Sequence, residues 1–196
     1  MVGASSLYRA DRANRPYAAI PLIFAAQQVA EGVLWQGGAT GPYADALSFG
    51  FLFVASVIWP AYVPFAVYRL EPENKRARIV PFIVLGIALS AYLLLIISTH
   101  PLEVAVGPRH ISYLVEIPWY LLVGALYVIA TCGVLIASSF RWVRIGGFAT
   151  ALALVAAYGV TQTAVGSVWC FFAAILSSLV LLHVSKSRPQ PVRASL

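Results

Sequence analysis

Glu31 is the one charge in an otherwise apolar run from Ala18 to Trp35, and Gln27 and Gln28 lie in the same run. In a helix, residues three and four apart share a face, so Gln27, Gln28 and Glu31 form one polar stripe, with Trp35 a turn further on. An ionisable group at membrane depth costs about 2.5 kcal/mol or more unless it is paired or hydrated, so it marks a functional site by default. The chemistry open to it is that of a proton or cation acceptor, or of a partner for a basic side chain.

A second polar group gathers in Thr99–Glu116, which holds Glu103, Arg109, His110, Tyr113 and Glu116, with His100 at its start. Arg109 or protonated His110 has the right charge to reach Glu31. Gln162 and Trp169, in later segments, complete a candidate binding set of Gln27, Gln28, Glu31, Arg109, His110, Tyr113, Glu116, Gln162 and Trp169. One reading is that the set binds or moves a small polar or cationic species. Another is a structural pair, in which a cation and two amides hold a buried carboxylate and fix the first helix against a cap, since polar contacts often join membrane helices. A third is a metal-dependent membrane hydrolase built on His100, Glu103, His110 and Glu116, which would need three or four converging ligands around an open position. No spacing among these four repeats a ligand pattern, and His183 lies too near the other end to join them. No Ser/His/Asp set, phosphate-cradling glycine loop or haem-type His pair is visible either. The first reading is preferred, with no catalytic residue, metal or cofactor expected.

The elements that must position these residues follow from composition. The 196 residues are 61% hydrophobic and 10% charged, against ~25% charged in soluble domains. Six apolar segments, at about 17–36, 46–69, 79–98, 117–139, 145–161 and 166–185, approach the ~20 residues that a bilayer needs, the fifth being short. The expected fold is all-α: a polytopic transmembrane bundle forming a single domain over 1–196, with a small hairpin or cap at about 99–116 and a flexible tail at 187–196. Met1–Arg15 lacks the order of a cleavable signal, so the first span is read as retained.

Twelve of the 13 basic residues fall before the first span, between the second and third, between the fourth and fifth, or after the sixth; Arg109 alone lies in the other linkers. The positive-inside rule then places both termini in the cytoplasm. The lipid bilayer is then the expected partner, with the oligomeric state left open. A net charge of +6 distributed in short clusters beside apolar spans reads as an orientation signal, not as nucleic-acid binding.

The linkers carry their own expectations. Gly37–Asp45 is turn-rich, with Asp45 suited to capping the second span. Trp59-Pro60 and Pro64 should bend that span, whose freed carbonyls need partners from neighbouring helices. Glu71–Arg78 reads as a solvated, orienting turn. Val104–Tyr113 sets β-branched stretches on either side of Gly107-Pro108, the pattern of a hairpin. Cys132 and Cys170 read as separate buried small hydrophobes. Ile20-Pro21 and Ile117-Pro118 occupy similar places in the first and fourth spans, a slight hint of inverted halves.

Three patches, Phe24-Ala-Ala-Gln-Gln-Val-Ala-Glu-Gly-Val-Leu-Trp35, Trp59-Pro-Ala-Tyr-Val-Pro64 followed by Glu71, and Ser167-Val-Trp-Cys-Phe-Phe-Ala-Ala174, resemble a family of small multi-pass bacterial membrane proteins classed only as a domain of unknown function. The resemblance covers most of the chain from Pro21 onwards. It implies a multi-pass protein of a bacterial cytoplasmic membrane and brings no activity, ligand or site residue. The family pattern begins with a further apolar helix preceded by Cys-Phe-Ser, which this sequence lacks, so Val2–Tyr8 reads as the last turns of that helix.

Overall fold

A computed structural model describes residues 2–107, 111–160, 169–170 and 177–186. The chain folds into helices α1 (Val2–Arg9), α2 (Arg15–Gln36), α3 (Ala44–Leu70), α4 (Val80–Thr99), α5 (Tyr120–Ala137), α6 (Arg141–Val160) and α7 (Ser178–Lys186), with strands β1 (Glu103–Val106) and β2 (Ile111–Leu114) between α4 and α5. Among the described residues five stretches, α2, α3, α4 with the turn before it, α5 and α6, are helices long and apolar enough to cross a membrane. Their outer faces are as apolar as their inner ones: Leu121 is 80% exposed and Leu152 70% exposed. Helices hydrophobic all round are what a lipid environment requires. The fifth segment, expected to be short, begins four residues early because Arg141 to Arg144 join the helix. Of the expected sixth span, only its end, α7, and Trp169-Cys170 are among the described residues. The tail expected at 187–196 lies outside them.

The buried core concentrates at the basic end. Tyr17, Ala18 and Ile20 from α2 pack there against Trp59, Val63, Ala66 and Val67 from α3, and against Val134, Val143, Val180 and Val184. A smaller cluster at the hairpin end joins Leu34, Ala44 and Ile111. The hairpin itself is antiparallel, pairing Glu103 with Leu114 and Val106 with Ile111, and so caps the α2–α3 connection as the sequence predicts.

Around Trp59-Pro60, carbonyls of α3 accept from side chains of neighbouring helices, as the sequence predicts. A π-helical turn at Val54–Ile58 runs directly into Trp59-Pro60. The Tyr127 hydroxyl donates to the Ala55 carbonyl, and the Ser90 hydroxyl donates to that of Val57 at 2.6 Å. Gly86 of α4 lies against Pro60 so closely that a Cβ there would run into the Pro60 carbonyl. A second π-turn, Ile129–Gly133, interrupts α5 and is braced by the Thr131 hydroxyl donating to the Tyr127 carbonyl at 2.8 Å. The hint of inverted halves does not hold: Pro21 lies inside α2, whereas Pro118 precedes α5 in a turn where Trp119 adopts φ +58.

Two linkers depart from expectation. Asp45 is in the first turn of α3 but makes no capping hydrogen bond, because Tyr43 occupies the cap position; its charge there complements the helix dipole instead. Glu71 is not part of a solvated turn, being 1% exposed. Its carboxylate accepts from Ser138 Oγ at 2.7 Å, from the Ser139 backbone N–H at 2.6 Å and from Arg78 at 2.9 Å, while Arg78 also reaches Ser139 Oγ at 2.6 Å. Burial alone would raise the carboxyl's pKa. The hydrogen bonds from Ser139 and Ser138, and the Arg78 charge, outweigh it and hold Glu71 below the usual carboxylate range. The α3–α4 turn is thereby stapled to the α5–α6 turn.

Candidate functional site

Glu31 sits about a turn and a half before the end of α2, on the face that also buries Gln27. Glu31 is 6% exposed and Gln27 2% exposed. Gln27 and Glu31 therefore face the protein as expected, whereas Gln28 is half-buried and Trp35 is exposed, and the members have different neighbours. Gln28 donates to the Glu31 carboxylate at 3.2 Å. One turn towards the basic end, Gln27 accepts from the Trp59 indole N–H at 2.9 Å and donates to Cys170 Sγ at 3.5 Å. That amide joins three segments far apart in sequence: α2, α3 and the Trp169-Cys170 strip.

Tyr113, on β2, stacks on Phe51 of α3 with ring centroids 4.5 Å apart. Its hydroxyl is buried and makes no hydrogen bond among the described residues. Burial pushes the phenol's pKa well up from its ordinary value, and the nearby Glu31 charge adds to the shift. The hairpin thus brings Tyr113 to Glu31, as the candidate set requires. Trp169 turns elsewhere: its indole N–H donates to the Thr150 carbonyl of α6 at 3.0 Å and its ring meets Tyr127 edge-on at 5.7 Å. Glu116 is exposed at the hairpin end. Arg109, His110 and Gln162 lie outside the described residues.

Tyr113, Glu116 and Trp169 of the candidate set line a cleft of about 1230 Å³ at the hairpin end, and Gln27, Gln28 and Glu31 do not. Glu103 and Glu116 stand at its rim, Tyr113 is on its wall, and Tyr127, Trp169 and Cys170 line its depth. The rest of the wall is largely apolar, from α3, α5 and α6. An acidic rim over an apolar throat suits a species that carries positive charge and tolerates desolvation. As for a metal centre, no three His, Cys, Asp or Glu side chains converge among the described residues.

Trp59, Tyr127 and Cys170 were not picked out for the site from sequence. The usable signal was the donor each aromatic must place: a buried indole N–H or phenol at mid-helix needs an acceptor, and Gln27 and the carbonyls freed by Pro60 are those acceptors.

The patches noted in sequence are accounted for by a family match over residues 1–196. The chain belongs to the family of unknown function DUF6629. No curated protein and no solved structure matches it. Membership identifies the kind of chain, and the chemistry has to be read from the cleft and the Glu31 stripe.

Proposed function

We propose that the chain is a multi-pass protein of a bacterial cytoplasmic membrane that binds or passes a small polar or cationic species entering at the hairpin end, with no catalysis of its own. The carrying observation is a buried carboxylate on a spanning helix, beside Gln28 and Tyr113, close to a cleft with an acidic rim. The clustering of basic residues at the opposite end supports an orientation with both termini cytoplasmic and the hairpin outside. A structural role for the stripe has one specific observation in its favour, the amide of Gln27 tying Trp59 to Cys170.

Thermal unfolding of wild type and Glu31→Gln in detergent, between pH 5 and 8 and with or without added cations, separates the two readings. The amide keeps an acceptor for Gln28 and removes only the charge, so the fold should survive while stabilisation by cations disappears. A large loss of stability in Glu31→Gln, matched by Arg109→Gln, would overturn the binding reading. Breaking a buried ion pair from either side costs ~3–5 kcal/mol.

A further inference from the structure

We infer that an inner cavity, on the basic side of the cleft, is an aromatic cage for a quaternary ammonium group; this rests on the reading that the Glu31 region receives a cation. The cavity measures about 80 Å³, and among the described residues five rings line it: Tyr17, Phe24, Trp59, Tyr127 and Trp169. One water needs about 10–15 Å³ of such space, so there is room for a group of several heavy atoms. Four of the rings hold one another in pairs, Phe24 stacked on Trp59 at 4.0 Å and Tyr127 edge-on to Trp169 at 5.7 Å.

Most polar groups that the described residues place on the wall are already engaged within the protein. The Trp59 N–H bonds to Gln27, the Trp169 N–H to the Thr150 carbonyl, the Tyr127 hydroxyl to the Ala55 carbonyl, and the hydroxyls of Thr131 and Thr150 to carbonyls one turn back. These groups spend their donors within the protein, so the described wall has few N–H or O–H groups to offer an anion, while its ring faces remain open to a cation. A tetraalkylammonium head carries its charge without any N–H, and aromatic rings attract it through their quadrupoles. A carboxyl group lies to one side: Cys170 lines the cavity, is bonded to Gln27, and lies within electrostatic reach of Glu31. Tyr127, Trp169 and Cys170 line both the cavity and the cleft, so the entry route runs from the hairpin end past Trp169.

Calorimetric titration of the full chain in phosphatidylglycerol nanodiscs tests this, with choline, tetramethylammonium, the neutral isostere 3,3-dimethylbutan-1-ol, ammonium and sodium as probes. Choline and tetramethylammonium should bind saturably and the neutral isostere at least about tenfold more weakly. Phe24→Leu and Trp169→Leu should each lower choline affinity about fivefold or more, since one cation–π contact is of that order. Two variants are used so that either one, if it retains the wild-type unfolding temperature, carries the test. Repeating the titration in phosphatidylcholine nanodiscs separates the sources of the group: competition identifies a lipid headgroup, undiminished binding identifies a free cation, and either supports the cage. Equal binding of the isostere overturns the cage. Binding of ammonium or sodium without choline overturns the cage while leaving the Glu31 reading intact, and the absence of binding by every cation defeats both.

Discussion

Glu71→Ala should be among the most damaging single changes outside the spanning helices. It removes the acceptor for Ser138 Oγ at 2.7 Å, for the Ser139 N–H at 2.6 Å and for Arg78 at 2.9 Å. Breaking a buried ion pair costs ~3–5 kcal/mol. That figure needs a discount, because the Arg78 side chain is 42% exposed and can turn to water. Ser138 and the Ser139 N–H have less recourse, and each buried group left unpaired costs ~1–3 kcal/mol. The expected loss is about 2–4 kcal/mol for Glu71→Ala. Glu71→Gln keeps one acceptor oxygen but turns an amide donor towards Arg78, so about 1–2 kcal/mol is expected. For a chain of this size 1 kcal/mol moves Tm by roughly 2–4 °C, which puts Glu71→Ala about 4–16 °C below wild type in a detergent melt. The dependence on pH supplies a sign. A carboxyl held below its ordinary range stabilises the fold above the unfolded-state pKa, and that contribution is lost as pH falls through the folded-state value. The gap between wild type and Glu71→Ala should therefore be full at pH 7 and close progressively below about pH 4. A Glu71→Ala melt within 1 °C of wild type at pH 7, or a gap that widens in acid, would refute the staple.

Three further outcomes are expected. Gly86→Ala should cost about 1–3 kcal/mol or more by driving a methyl into the Pro60 carbonyl, whereas Gly32→Ala, with open space around its Cβ, should be neutral or slightly stabilising; equal melting temperatures for the two variants would contradict the close α3–α4 approach. Tyr113→Phe removes a buried hydroxyl that has no partner among the described residues, so chemical denaturation should show stability unchanged or higher by up to ~1 kcal/mol, and a clear loss would mean that the hydroxyl is engaged. Membrane-impermeant thiol labelling of intact cells should modify Ala39→Cys and Gly107→Cys but not Ser187→Cys; external labelling of the last would reverse the orientation.

Legibility in the sequence tracked how local the cause was. Run length and apolarity placed α2 to α6, Gly107-Pro108 between β-branched stretches placed the hairpin, and Pro60 announced carbonyls needing donors. Those causes act within a few residues. The staple was hidden because Glu71 finds its serine partners 67 and 68 residues away, and a Glu-Pro-Glu stretch followed by basic residues reads as solvent-facing. The same holds for the site. That Gln27 and Glu31 face inwards follows from helical spacing, while the placing of Trp59 and Cys170 on either side of Gln27 is decided by packing between helices that no local pattern encodes. Asp45 missed its cap by two positions, because the helix starts early and Tyr43 holds the cap position.

The π-turn at Val54–Ile58 holds one residue more than an α-helical turn. With about 100° of rotation per residue, that extra residue sets the azimuth of everything on its hairpin side relative to the Pro60 half, including Phe51, on which Tyr113 stacks. Deleting a single residue between 54 and 58 would let α3 relax to a continuous α-helix and swing Phe51 by more than a quarter turn, away from β2. The two halves of this helix are thus aimed independently, one by its proline contacts with α4 and the other by a single inserted residue, and insertion or deletion here, more than substitution, is the change by which the mouth could be re-shaped without disturbing the core beneath it.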